Sequence, residues 1–162
     1  GVDGAIHKAA GENLLKYIHK NIKSKPRCHT GKAVLTPGFN IPSKHIIHTV
    51  APIWQSGDEK QIEYNLKTLK YCYLNCFKIA DSLDIKTIAF PCLGAGAYGW
   101  STWDVADISK EVSLLKRRNI KKIKFITYNL NDTIIFEEVF KKTASIPRNI
   151  ERKDFLYYDG VS

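Results

Sequence analysis

Hydrophobic residues recur at intervals of three and four along four stretches of the chain, which is the spacing of one buried helix face. The first stretch carries Ile6, Ala10 and Leu14; Gly11 interrupts it, and Pro26 closes the region. A glycine inside a helix costs about 1 kcal/mol relative to alanine, so one helix can still span this stretch. The pattern predicts helices over residues 3–23, 59–83, 102–118 and 132–142.

Short apolar runs separate these helical stretches and predict strands. The run at 86–91 is almost continuously apolar, which suits a parallel strand that is covered on both faces. Turn residues such as Pro37 and Gly38 mark where another strand ends. The predicted strands cover residues 32–36, 44–50, 86–91 and 122–128.

Strands and helices therefore alternate through most of the chain, and this alternation predicts an α/β fold. We expect a three-layer α/β/α sandwich around a mixed, largely parallel sheet. Residues 143–162 show no period, because Pro147 and a mixture of charges break the pattern there. Within them, residues 155–158 are interpreted either as an edge strand or as a packed arm, and the pattern does not choose between the two.

A glycine-rich segment at residues 92–101 joins the third predicted strand to the helix that follows it. A strand, a glycine-rich turn and a helix together offer bare backbone N–H groups to a phosphate. Gly94, Gly96 and Gly99 allow close approach of a ligand, and Tyr98 adds an aromatic ring. The spacing fits neither the dinucleotide-binding fingerprint nor the Walker A motif. A connecting loop with ordinary turn glycines is the alternative interpretation.

A second loop, at residues 128–132, follows the predicted strand at 122–128. Ligands of open α/β sheets bind outside the carboxyl ends of the strands, so this loop is also a candidate. Tyr128 is interpreted either as a ring that stacks on a flat ligand or as a core aromatic residue.

Asp3 lies at the start of the first predicted helix and has two interpretations. An acidic side chain at such a position is often a helix cap. A carboxylate beside a phosphate-binding loop can instead orient a water molecule for hydrolysis. His7 on the same helix and His48 on the second strand are interpreted as structural residues.

The chain of 162 residues carries 25 Lys and Arg against 16 Asp and Glu, a formal net charge of +9. This charge favours anionic partners and keeps a basic nucleic-acid-binding module open as an alternative. The lysines are spread along the sequence, however, as on solvated faces. No secretory leader and no membrane-length apolar run occurs, and the four cysteines form no CxxC motif, so we expect a reduced, intracellular protein without membrane contact.

Four segments in order along the chain resemble the macrodomain family, and most closely its MacroD-type branch. The likeness runs from Gly1 to about Lys142, so we expect a macrodomain-like core at 1–142 and an extension of unknown role at 143–162. The segments are GVDGAIHKAAG at 1–11, CHTGKAVLTPGFNIP at 28–42, HIIHTVAPIW at 45–54 and IAFPCLGAGAYGW at 88–100.

The resemblance implies a protein that binds ADP-ribose or ADP-ribosylated proteins. It also implies hydrolysis of mono-ADP-ribose from acidic side chains, or of O-acetyl-ADP-ribose, with neither a metal nor a cofactor. By the same resemblance Asp3 handles the catalytic water. Residues 94–98 match the family's diphosphate-binding loop, with Tyr98 near the distal ribose. Tyr128 matches an aromatic that packs on the adenine. The remaining matched ligand-binding positions are Gly1, Val2, Gly94, Ala95, Gly96 and Ala97.

Two departures from the family pattern favour a second hypothesis, a non-catalytic reader of ADP-ribosylated proteins. Family loops usually have Ser-Thr-Gly where this chain has Gly94, Ala95 and Gly96, so hydroxyl contacts worth about 0.5–1.5 kcal/mol each are lost. Family members also carry two strands before the first motif, with an adenine-reading acid and a ribose-binding asparagine. We expect the chain to be a fragment, another chain to supply these strands, or residues 143–162 to fill the gap; otherwise an isolated monomer is poorly stable.

Overall fold

The computed structural model describes residues 1–142 and the backbone of a strand at 155–157. Within these residues no helix combines the length and the apolar character that crossing a membrane requires. The elements are α1 (Val2–Ala10), α2 (Glu12–Asn21), β1 (Ala33–Pro37), β2 (His45–Thr49), α3 (Glu59–Ser82), β3 (Thr87–Pro91), α4 (Thr102–Ser113), β4 (Lys122–Thr127), α5 (Leu130–Lys141) and β5 (Phe155–Tyr157).

The first helical stretch is divided into two helices at Gly11, so the prediction of one helix over 3–23 is wrong. Gly11 has φ of 87°, a left-handed conformation that glycine adopts without a steric penalty. The Asn40 N–H donates to the Ala10 carbonyl at 3.2 Å, and a Cβ on Gly11 would lie only 2.7 Å from Asn40 Nδ2. The glycine therefore ends one helix and begins the next where another segment packs closely.

Two other helix boundaries differ from the prediction. Helix α4 ends at Ser113 rather than at residue 118, and the Arg117 guanidinium donates to the Ser113 carbonyl at 2.6 Å. Helix α5 begins at Leu130, two residues earlier than predicted, because the side chain of Asn129 accepts from the N–H of Asp132 and caps the helix.

The strands form two separate sheets. Strands β1 and β2 pair antiparallel, with Leu35 opposite Ile47. Strands β3, β4 and β5 pair parallel in that order, with Phe90 opposite Phe125. Among the described residues β2 pairs only with β1, and β3 pairs only with β4, so each keeps one free edge.

Strand β5 decides between the two interpretations of residues 155–158, because residues 155–157 form an edge strand. Phe155 is opposite Phe125, so the strand extends the sheet at β4, on the side away from β3. The described part of the C-terminal segment therefore does not fill the space between β2 and β3. The other predicted features of residues 143–162 lie outside the described residues.

Two neighbouring residues of β2 show how helices cover both faces of the β1–β2 sheet. Successive side chains of a strand point to opposite faces. Ile46 packs with Ala10 and Leu14 of α1 and α2, whereas Ile47 packs against the main core, which contains α3. The chain therefore has helix, sheet and helix layers here, as the element pattern predicts.

Aromatic rings fill the main core, between α3, α5 and the three-stranded sheet. The Phe90 ring of β3 lies 5.0 Å from the Tyr73 ring of α3 and 6.2 Å from the Phe125 ring of β4, measured between centroids. Phe136 and Phe140 of α5 each approach Phe125 to 5.7 Å. Such ring pairs stabilise a core by about 0.5–1.5 kcal/mol each beyond the area they bury.

All four cysteines are free thiols. Cys72 and Cys76 are buried on α3, and Cys92 is half-buried just after β3. Burial raises the pKa of Cys76 and Cys92 to about 12. At neutral pH these two thiols are protonated, and a protonated thiol is a poor nucleophile.

Asp81, near the end of α3, holds the segment that leads into β4. Its carboxylate accepts from the backbone N–H groups of Arg118, Asn119 and Ile120 at 3.2, 3.0 and 3.3 Å. Burial acts to raise the pKa of this carboxyl, but the three donors and the Arg117 charge together lower it below its ordinary value of 3.8.

We expect Asp81→Ala to lower the free energy of unfolding by about 1–2 kcal/mol, because three N–H groups lose their acceptor. A lowered pKa means that the stabilisation is complete above the pKa of the unfolded chain and is lost as pH falls through the folded value. Urea unfolding from pH 7 to pH 3 measures both effects. Asp107→Ala, on the exposed side of α4, is the matched control, and equal losses in the two variants would contradict this account.

Candidate functional site

The glycine-rich segment forms the turn between β3 and α4. Gly94, Gly96 and Gly99 each have φ of 84°, so all three use the left-handed region that glycine favours. The turn is closed by its own backbone: the Ala95 N–H donates to Cys92, and the Gly99 N–H donates to Gly96. We call residues 93–99 the glycine loop.

The tip of the glycine loop carries backbone N–H groups that lack a backbone partner among the described residues. Gly96, Ala97 and Tyr98 are exposed, and within residues 1–142 their N–H groups donate to no backbone carbonyl. Successive N–H groups in a turn of this kind form a concave anion-binding surface. Helix α4 starts at Thr102, three residues beyond the loop, and its N-terminal dipole adds positive potential.

The segment that follows β2 holds the glycine loop in place. The Trp54 N–H donates to the Tyr98 carbonyl at 2.7 Å, and the Trp54 and Trp100 rings pack edge to face at 5.1 Å. Trp100 is buried, and its indole Nε1 donates to the Pro52 carbonyl at 2.7 Å. These contacts fix the loop against the end of β2 although β2 and β3 do not pair.

Asp3 lies in the first turn of α1 with its side chain 89% exposed. Gly1 occupies the N-cap position, and no side chain caps this helix, so the cap interpretation of Asp3 is wrong. The carboxylate Oδ1 lies 3.5 Å from Nε2 of His7, one helical turn further on. Val2, the first residue of α1, is exposed beside it. The carboxylate is therefore free to contact solvent or a ligand.

His48 comes close to this carboxylate from strand β2. One ligand atom each of Asp3, His7 and His48 lies within 4.8 Å of the others, a spacing that a metal ion can bridge. Burial is the main cause that lowers the pKa of His48, and the neighbouring His7 lowers it further, whereas the charge of Asp3 acts to raise it. At neutral pH the His48 imidazole is therefore uncharged. The i, i+4 spacing of Asp3 and His7 was visible in the sequence, but the approach of His48 was not.

One stretch of chain connects the Asp3 cluster to the glycine loop. His48 belongs to the cluster, and Ala51, three residues later, lies against Gly94: a Cβ built on Gly94 would sit 3.4 Å from the Ala51 methyl group. Three residues of extended chain span about 10 Å. The carboxylate and the exposed N–H groups thus belong to two clusters that share the end of β2.

Tyr128 lies at the carboxyl end of β4, and its side chain is 63% exposed. The interpretation as a core aromatic residue is therefore wrong. Because β3 and β4 are parallel, with Pro91 opposite Ile126, the loops that follow them leave the same edge of the sheet. The Thr102 hydroxyl donates to Asp132 at 3.0 Å and connects the two helices that start there.

A cavity of about 530 Å³ opens beside Tyr98, between the segment after β2 and helix α3. Asn65, which is almost fully buried at its edge, accepts at Oδ1 from Gln61, while its Nδ2 has no partner among the described residues. An acceptor atom of a bound molecule would satisfy this donor. The lining residues are Thr30, Val50, Ala51, Pro52, Ile53, Gln55, Tyr64, Asn65, Thr68 and Tyr98.

Comparison with known proteins identifies the family. The sequence model of the macro domain family matches residues 1–109. A macro domain-containing protein of Ralstonia nicotianae, RSc0334, is 39% identical over 137 residues, which are 85% of this chain and 75% of that protein. The chain belongs to the macro domain family. An O-acetyl-ADP-ribose deacetylase of Enterobacter sp. is 32% identical over 150 residues, covering 91% of this chain and 81% of that enzyme.

Solved structures agree with this assignment. The Oceanobacillus iheyensis macrodomain with ADP has a TM-score of 0.77 and 32% identity to this chain, over 87% of this chain and 75% of that one. The resemblance inferred from the four sequence segments is thereby confirmed, and so is the α/β macrodomain fold.

Two alanine substitutions test whether the glycine loop needs its left-handed positions. Gly96→Ala adds a methyl group in open space, so only the backbone penalty of about 1–2 kcal/mol applies. Gly94→Ala adds the same penalty and also places Cβ 2.7 Å from Cδ1 of the buried Trp100. We expect urea unfolding to show a larger loss of stability for Gly94→Ala. A smaller loss for Gly94→Ala than for Gly96→Ala would contradict the description of the loop.

Proposed function

We propose that this macrodomain binds ADP-ribose and hydrolyses an ester that joins ADP-ribose to a carboxyl group. The ester is either mono-ADP-ribose on an acidic side chain of a modified protein or O-acetyl-ADP-ribose. The observation that carries the proposal is the exposed row of N–H groups at Gly96, Ala97 and Tyr98, connected through the end of β2 to the exposed carboxylate of Asp3.

Binding of the diphosphate follows from the glycine loop. It combines N–H groups that lack a backbone acceptor within residues 1–142 with the nearby start of α4, and a diphosphate with about two negative charges suits such donors without a lysine. Gly94, Ala95 and Gly96 supply backbone and no hydroxyl groups, so all protein contacts there come from the main chain. The N-terminal turn of α1, with Gly1 and Val2, contributes further unpaired N–H groups.

Two exposed aromatic rings suit the sugar and base ends of the same ligand. Tyr98 is 40% exposed beside the diphosphate-binding N–H groups, and it is proposed to contact the distal ribose. Tyr128 is exposed at the next parallel strand end and is proposed to pack on the adenine. A ring with one open face can stack on a flat base, which a buried core residue cannot do.

Asp3 is proposed to orient the water molecule that cleaves the ester. The oxygen of the water forms the new bond to carbon, the ester C–O bond breaks, and a proton of the water passes to the leaving oxygen. Both proposed substrates are carboxylic esters of the distal ribose, so one arrangement serves both. Neither a metal nor a cofactor takes part in this scheme.

Titration calorimetry with ADP-ribose tests the binding half of the proposal. Ala97→Glu places a negative charge among the exposed N–H groups and is expected to weaken binding tenfold or more. Ala97→Gln is the matched control, because it has the same size without the charge, and it is expected to retain more affinity. Absence of heat with the folded wild-type chain, or equal affinities of the two variants, would contradict the assignment of the diphosphate to this loop.

Release of ADP-ribose from a modified protein tests the catalytic half. Asp3→Asn keeps the size of the side chain and is expected to slow hydrolysis by about 10²–10⁴-fold, while ADP-ribose affinity changes little. Glu12→Gln, an exposed acid in the first turn of α2, is the control and should hydrolyse normally. Unchanged hydrolysis in Asp3→Asn would remove Asp3 from the mechanism. Binding by the wild type without any turnover would instead select a non-catalytic reader.

A further inference from the structure

We infer that Asp3, His7 and His48 form a binding site for one divalent transition-metal ion of the zinc class. One ligand atom from each of the three side chains lies within 4.8 Å of the other two. An ion with bonds of about 2.0–2.2 Å to nitrogen and oxygen holds its tetrahedral ligands about 3.4 Å apart. The ligand atoms therefore need to move closer together only from at most 4.8 Å to about 3.4 Å for an ion to bind all three.

Helix α1 already sets one of these separations. Asp3 and His7 are four residues apart, so they lie on one side of the helix. Oδ1 of Asp3 and Nε2 of His7 are 3.5 Å apart, close to the spacing of two ligands on one tetrahedral ion. An ion would replace a weak contact between an exposed carboxylate and a half-buried imidazole with two coordination bonds.

The hydrogen bonds of His48 leave a ligand atom available. Its Nε2 lies 2.8 Å from the hydroxyl of the buried Thr36, and that hydroxyl donates its own proton to the Pro37 carbonyl. In the tautomer in which Thr36 accepts from Nε2–H, Nδ1 carries the lone pair that a metal ion would bind. A histidine ligand usually has such a partner on its second nitrogen, which fixes the tautomer and the ring orientation.

The donor set also selects the kind of ion. Two imidazoles and one carboxylate suit Zn²⁺, Co²⁺, Ni²⁺ and Cu²⁺, whereas Mg²⁺ and Ca²⁺ prefer oxygen ligands. The Asp3 side chain is 89% exposed, so solvent can occupy the remaining coordination position. The hydrolysis proposed above needs no ion; this site is an addition to it.

Occupancy of the site has a consequence that rests on the proposed function. An ion coordinated by the Asp3 carboxylate holds the oxygen atoms that would otherwise orient the water molecule. Zinc should therefore inhibit hydrolysis, and a chelator should restore it. Metal binding itself is independent of the substrate, so it is measured separately.

Co²⁺ absorption spectroscopy and Zn²⁺ calorimetry on the 162-residue chain test the site. The wild type should bind one equivalent and show the intense visible bands of tetrahedral Co²⁺ without a thiolate charge-transfer band. His7→Gln and His48→Gln should each lose the visible bands, and Thr36→Val should lower Zn²⁺ affinity about 10–100-fold. His45→Gln, an exposed histidine at the start of β2, and Cys28→Ser should bind as the wild type does.

Each result has one meaning. Binding that survives in His7→Gln, or that is lost in His45→Gln, overturns the site. A thiolate band that disappears in Cys28→Ser overturns it as well. Circular dichroism shows whether a variant is folded, and His7→Gln decides the matter if His48→Gln does not fold. Co²⁺ bands in a wild type that also fails to hydrolyse the ester after a chelator has removed the ion would support the metal site and contradict the proposed function.

Discussion

The contact between the segment after β2 and the glycine loop is the constraint on which the rest of this structure depends. Strands β2 and β3 do not pair among the described residues, so no ladder of hydrogen bonds joins the two sheets. The joint consists of the Trp54–Trp100 ring pair and the hydrogen bonds that reach Tyr98 and Pro52, with α3 packed across both sheets. It positions the loop and, through the few residues back to His48, the surroundings of Asp3.

The same joint bears on the proposal that the glycine loop binds a diphosphate with backbone groups alone. A loop that loses hydroxyl contacts depends on how well its N–H groups are held before the ligand arrives, because ordering them at binding costs conformational entropy. Here Gly94 packs against Trp100, and the Tyr98 carbonyl is held by Trp54. Gly96 and Ala97 stay exposed between these fixed points. The arrangement is preorganised at its base and open at its tip.

Much of the fold could be predicted from the sequence, because local periodicity determines where helices and strands occur. The helix at 59–83 and the strand at 86–91 were found nearly to the residue, and the four segments of family likeness identified the loop. Helix ends were less predictable: α5 begins two residues earlier, at the Asn129 cap, and α4 ends five residues earlier, at Ser113, although the contacts at both ends join residues only three or four apart. The place of β5 beside β4 depends on pairing between residues about thirty positions apart, which no local pattern contains.

The candidate site was predictable in its parts and not in its assembly. Asp3 and the glycine loop were visible as separate motifs. His48 reaches Asp3 only because β2 lies beneath α1, and the exposure of Tyr128 follows from its position just beyond the sheet edge. Distances between elements such as these come from packing, and one sequence records packing only indirectly.

Nuclear magnetic resonance of the ¹⁵N-labelled chain during titration with ADP-ribose tests the central claim most directly. The account predicts that the backbone amides of Gly96, Ala97 and Tyr98 shift first and furthest, with smaller shifts around Asp3 and Tyr128. Saturable shifts confined to other surfaces, with these three amides unmoved, would contradict it.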